Sequence, residues 1–159
     1  MVAAMTNAHS PWRVAVTHAI FSADPAPIWK VISPFDGLPA LVPELIKSGS
    51  ASGKGVGMTR VLNLGGDLVA KEELIAFHPE QFRYSYAMTE TVSWPWEHYF
   101  CTVQLQALGA GQTHLMATGY FQPREGQEDA ARGTFANVYD GLISGYARAL
   151  GTSVALQPG

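Results

Sequence analysis

"GQEDAARGTFANVYDGLISGYARALG", residues 126 to 151, lies near the end of a 159-residue chain, and its reading decides the fold. Phe135, Val138, Tyr139, Leu142, Tyr146, Ala149 and Leu150 recur at steps of three and four, the spacing of one helix face. This predicts an amphipathic helix of about 25 residues. Glu125, Glu128 and Asp129 near its start and Arg148 near its end suit the helix dipole. Gly151 is a natural stop. Gly133, Gly141 and Gly145 weaken such a helix by up to about 1 kcal/mol each relative to alanine, a tolerable cost where a helix packs closely on a sheet.

A helix with one apolar face must bury it, and the segments upstream supply the partner. "WRVAVTHAIF", 12 to 21, alternates apolar with small or polar residues and reads as a strand. In "SADPAPIWKVIS", 22 to 33, Ser22 or Asp24 can cap a short helix with Pro25 in its first turn. Pro34, Pro39 and Pro43 then break the chain into turns or a second short helix. Residues 46 to 64 read as two strands around a glycine-rich hairpin, and 65 to 80 as a Gly-Gly-Asp turn and a strand. "QFRYSYAM", "EHYFCTVQLQAL" and "THLMATGYFQP" follow as strands with tight links. About seven strands joined by hairpin-like turns make an antiparallel sheet, so the class is α+β. A sheet of that size twists and curls. The helix belongs in its concave side, and a rod against a curled sheet leaves a gap suited to an apolar ligand.

Composition agrees with one folded unit, expected over residues 12–151, with 1–11 and 152–159 as loose ends. Hydrophobic residues are 47% and charged residues 14%, against a usual charged share of about 25%. Apolar surface is therefore left for a ligand or partner. The net charge of −3 and the lack of a basic run argue against nucleic acid. One cysteine, Cys101, allows no internal disulfide, and the first dozen residues do not read as a signal peptide. No run of about 18 apolar residues occurs, so no membrane span is expected. The expected setting is cytoplasmic. The glycine-rich stretch at 49–57 lacks the spacing of a phosphate loop, and the five histidines show no paired metal spacing. No metal site and no cofactor are expected.

The stretch "FSADPAPIWKVISPFDGLPALVPEL", 21 to 45, resembles the opening of the START-like, or SRPBCC, superfamily. The nearest branch is the polyketide cyclase/dehydrase and lipid-transport group of small bacterial proteins. Phe21 and Ala23 match its strand end, Ile28 and Trp29 its Val-Trp pair, Phe35 its Asp-Phe phenylalanine and Pro43 the proline of its Trp-x-Pro. "GGDLVAKEELIAFHPEQFRYSY" resembles its Gly-Gly turn, glutamate-bearing strand and tyrosine strand, and "GYFQP" the end of its last strand. The resemblance implies a helix-grip fold: a curved seven-stranded sheet around a long C-terminal helix, with two short helices after strand one, enclosing an apolar cavity. Asp24, Pro34, Leu41 and Ala117 depart from the pattern. Ala117 stands where the family has tryptophan, so Ala117 and Gly119 are expected to leave a roomier cavity.

Several residues are candidates for chemistry. Glu72 shares a strand face with Leu68, Ala70 and Leu74. Facing inward, its carboxyl would have a raised pKa and serve as general acid or base; the alternative is that it pairs with an arginine or faces water. Tyr86 is the partner expected to share its protons, and Tyr84 and Tyr86 on one face can orient a ligand carbonyl. Of His98 and Tyr99 one faces in, and the family's tyrosine favours Tyr99. His98 near the mouth could still move protons, unless it is a solvated strand end. Trp94 and Trp96, either side of Pro95, are read as a lid, and Phe135 and Tyr139 as the cavity floor. Cys101 reads as a buried hydrophobe rather than a nucleophile. The leading expectation is a protein that binds an aromatic or polyketide-like hydrophobe and catalyses cyclisation or dehydration without a cofactor. The alternatives are a non-catalytic carrier or sensor of a lipid-like ligand, and a module that pairs into a homodimer through the tryptophan loop.

Overall fold

The computed structural model describes residues 11–158. It begins with strand β1 (Arg13–Phe21), then helix α1 (Pro25–Ile32) and the single-turn helix α2 (Leu38–Leu41). Strands β2 (Ser48–Ser52), β3 (Thr59–Asn63), β4 (Val69–His78), β5 (Arg83–Glu90), β6 (Trp96–Gly109) and β7 (Gln112–Pro123) follow. Helix α3 (Glu128–Leu150) and a short strand β8 (Val154–Gln157) complete the order. The strands form one antiparallel sheet in the order β2-β3-β4-β5-β6-β7-β1-β8. The sheet is curved and unclosed and wraps α3, which is the helix-grip architecture.

The curl has a local cause. Register shifts between Lys71 and Glu72, Leu74 and Ala76, Trp96 and His98, and Ala107 and Gly109 break the ladder. Such bulges bend a strand and increase its twist. Helix α3 buries Phe135, Tyr139, Leu142, Ile143 and Tyr146 against the concave face, and Gly151 in the left-handed conformation ends it. Ala149, expected on the buried face, is exposed, and Ile143 takes its share. At the short helix α1, Asp24 stands at the N-terminal cap position without a side-chain capping bond.

The sheet has eight strands where about seven were expected. The extra one lies in the tail expected to be loose from residue 152. Phe21 pairs with Val154 and His18 with Gln157. Thr152 Oγ1 donates to Ser22 O at 2.7 Å, and Ser22 N donates to Ser153 O at 3.1 Å. The physical reason is the open edge of β1, whose unpaired backbone groups are covered by the returning chain. The expectation of a loose N-terminal segment falls on residues 1–10, outside the described residues. Among the described residues no helix is long and apolar enough to cross a membrane.

Candidate functional site

Arg60 on β3 and Glu72 on β4 sit directly opposite each other in the ladder. Strand alternation sends both inward with Leu62 and Ala70. Each is almost fully buried, at 5% and 4% exposure. Arg60 Nε donates to Glu72 Oε1 at 2.8 Å, and Arg60 Nη1 donates to Phe35 O at 3.1 Å. The guanidinium lies 3.9 Å above the Phe35 ring and 5.1 Å from the Tyr86 ring centre. Burial pushes the Glu72 carboxyl above its ordinary value, and Arg60 pulls against that shift. The contact keeps the two an ion pair at neutral pH, because a neutral Glu72 would strand a buried guanidinium charge.

A cluster of hydroxyls lies beyond this pair. Tyr86 and Tyr139 share a hydrogen bond of 2.5 Å, Tyr99 lies 3.4 Å from the Tyr86 hydroxyl, and Cys101 Sγ is 3.2 Å from that of Tyr139. Burial raises all three phenols well above their ordinary range, so they are neutral donors. Burial also pushes the Cys101 thiol up to about 11, which leaves it unreactive near neutrality.

Trp94 and Trp96 close one end. Their rings stack at 5.3 Å, and Trp96 stacks on Tyr99 at 4.6 Å. Trp94 Nε1 donates to Val69 O at 2.8 Å, and Trp96 Nε1 to Met88 Sδ at 3.3 Å. Arg124 pins the loop by donating to Trp94 O at 3.0 Å and to Thr91 O at 2.8 Å. Both indoles are buried, so the loop offers no exposed tryptophan surface for pairing.

Between these groups and α3 lies a void of about 40 Å³. Arg60, Glu72, Tyr86, Trp94, Trp96, Tyr99, Phe135 and Tyr139 line it, with Leu38, Ile46, Leu62 and Leu142 as apolar wall. Half-buried Leu64, Met88 and Val138 also line it and lie nearest solvent. At about 10–15 Å³ per water the void holds a few waters. A drug-sized ligand needs at least about 300 Å³.

Four expected site residues lie elsewhere. Ala117 is fully buried but does not reach the void, and Gly119 is covered by Phe135. A Cβ on Gly119 would stand 2.5 Å from Phe135 Cε2, so the helix phenylalanine has taken the space that the missing bulk on β7 leaves. The expected roomier cavity is therefore absent in this structure. Tyr84 is packed between Trp29, at 6.0 Å, and Tyr86, at 6.3 Å, and belongs to the core. His98 is exposed on the outer face, stacked on Trp12 at 6.3 Å, because Tyr99 takes the inward position. The residue missed from sequence was Arg60. Alternation with Leu62 and Leu64 placed it on an inner face, but the glycine-rich hairpin beside it reads as solvent-exposed. Among the described residues no group of three or more metal-ligating side chains occurs.

Comparison with known proteins bears on both fold and family. XoxI from Bacillus cereus superposes with a TM-score of 0.76 at 22% identity, over 86% of this chain and 94% of that one. Truncated norcoclaurine synthase from Thalictrum flavum gives 0.75 at 15% identity, over 91% and 96%. A protein from Nitrosospira multiformis gives 0.71 at 23% identity, over 88% and 96%. At these identities the likeness speaks for the fold. No curated protein matches the chain in sequence. The model of one family, described as polyketide cyclase / dehydrase and lipid transport, matches residues 11–151. That match spans both short helices, seven of the strands and α3, so the chain is a helix-grip protein that belongs to the polyketide cyclase / dehydrase and lipid transport family.

Proposed function

We propose that this protein binds a hydrophobic, aromatic or polyketide-like small molecule between α3 and strands β3 to β6, and acts on it by cofactor-free cyclisation or dehydration. The observation that carries this reading is the convergence of Arg60, Glu72 and three tyrosine hydroxyls on an otherwise apolar void. A wholly apolar lining would have favoured simple carriage. In a dehydration, Glu72 takes a proton from the carbon beside a carbonyl as the carbon–carbon double bond forms. The carbon–oxygen bond breaks, and Tyr86 protonates the departing hydroxide to give water. Arg60, 5.1 Å from the Tyr86 ring, stabilises the resulting phenolate until the proton returns from Glu72.

The ligand must widen a water-sized void. Met88, unbranched and half-buried, offers the least resistance at the mouth. A carrier function is the second reading, and the Arg60 contact favours it, since a carboxylate held by a guanidinium is a weakened base. A cytoplasmic setting is part of the proposal, and the lone buried thiol supports it. A homodimer through the tryptophans is not, because both indoles are buried. Native mass spectrometry of freshly purified protein tests the reading. The expected result is a bound small-molecule mass lost on organic extraction; a bare chain with no hydrophobe in the extract counts against it.

A further inference from the structure

Two polar atoms of the buried ion pair remain unused. Among the described residues, Arg60 Nη2 donates no hydrogen bond and Glu72 Oε2 accepts none, while Nε, Nη1 and Oε1 are all engaged. No sealed side-chain nitrogen or oxygen lacks a partner among the described residues, so these two atoms keep some accessible surface. Both residues line the void, so that surface fronts it. A donor and an acceptor of one ion pair are thus left open on two residues that line an otherwise largely apolar void.

We infer that the Arg60–Glu72 pair sets ligand specificity in the proposed site: it selects a polar end that is uncharged and carries an acceptor next to a donor, such as a ketone with a neighbouring hydroxyl, and it rejects carboxylates. This rests on the hydrophobic-ligand reading above and narrows it. A ketone oxygen accepts from Arg60 Nη2 while the adjacent hydroxyl donates to Glu72 Oε2. A carboxylate brings a second negative charge beside Glu72 in a dry site, where the pair is already neutral as a unit. A hydrocarbon strips water from both atoms and returns no hydrogen bond. Fatty acids are therefore poor ligands, although the walls are apolar.

Three matched probes test this by calorimetric titration at neutral pH: hydroxyacetylnaphthalene, naphthoate and ethylnaphthalene. The natural protein is expected to bind the hydroxyketone about tenfold or more tighter than either other probe, the worth of a hydrogen bond to a charged group. Glu72→Gln leaves the Arg60 charge unbalanced and should shift the hydroxyketone-to-naphthoate ratio about tenfold or more towards naphthoate. Should that variant fail to fold, the paired change Arg60→Met with Glu72→Leu keeps an apolar wall. It should bind ethylnaphthalene tighter than the natural protein does, because no polar atom is then stripped of water, and lose the preference for the hydroxyketone. Tighter naphthoate binding by the natural protein, an unchanged ratio in Glu72→Gln, or a preference surviving in the paired variant would each overturn the inference. Binding of all three probes without discrimination sinks this inference alone. Failure of all three to bind sinks the hydrophobic-ligand reading and this inference with it.

Discussion

Gly119 is bare, and Phe135 lies where its side chain would be. Gly119→Ala must push the ring toward the void or strain β7, an overpacking cost of about 1–3 kcal/mol. Chemical denaturation should show that loss, and unchanged stability would contradict the packing described. The same position marks a limit of sequence reading. Ala117 and Gly119 read as missing bulk, but which helix residue fills the gap depends on the rotation of α3, and a strand's own pattern does not carry that. Alternation put one of His98 and Tyr99 inward, and the resemblance, which places a tyrosine there, favoured Tyr99, as the structure has it. Arg60 was readable by the same rule and was missed, since its charge and the glycines of residues 53–57 both suggested solvent.

At the scale of elements, β3 and β4 are joined by a buried charge pair as well as by their ladder. Removing one partner leaves an uncompensated charge. Arg60→Met alone, or Glu72→Leu alone, should therefore cost about 3–5 kcal/mol in denaturant unfolding. Both together should cost far less, because an apolar pair of similar volume suits the wall. Additive single losses would show that the two residues act independently, against the structure. The elements themselves were largely legible. The step of three and four predicted α3 and alternation most of the strands; the prolines left turns or a second short helix open, and the family resemblance implied two short helices. Strand β8 was not, since Val154–Gln157 carries too few residues for a period and gains its conformation from the edge of β1.

At the scale of the whole molecule, a curled sheet grips a helix and the fit is nearly complete. The remaining void is small, lined by polar as well as apolar side chains and bordered by half-buried residues. The outer face offers a rival surface, where Trp12, Val14 and Met116 are exposed. The central claim is that a hydrophobic ligand enters the inner void and not this outer face. Filtered NOE spectroscopy on methyl-labelled protein with hydroxyacetylnaphthalene decides between them. The account predicts NOEs from the naphthalene ring to the methyls of Leu62, Val138 and Leu142; contacts confined to Val14 and Met116 would contradict it.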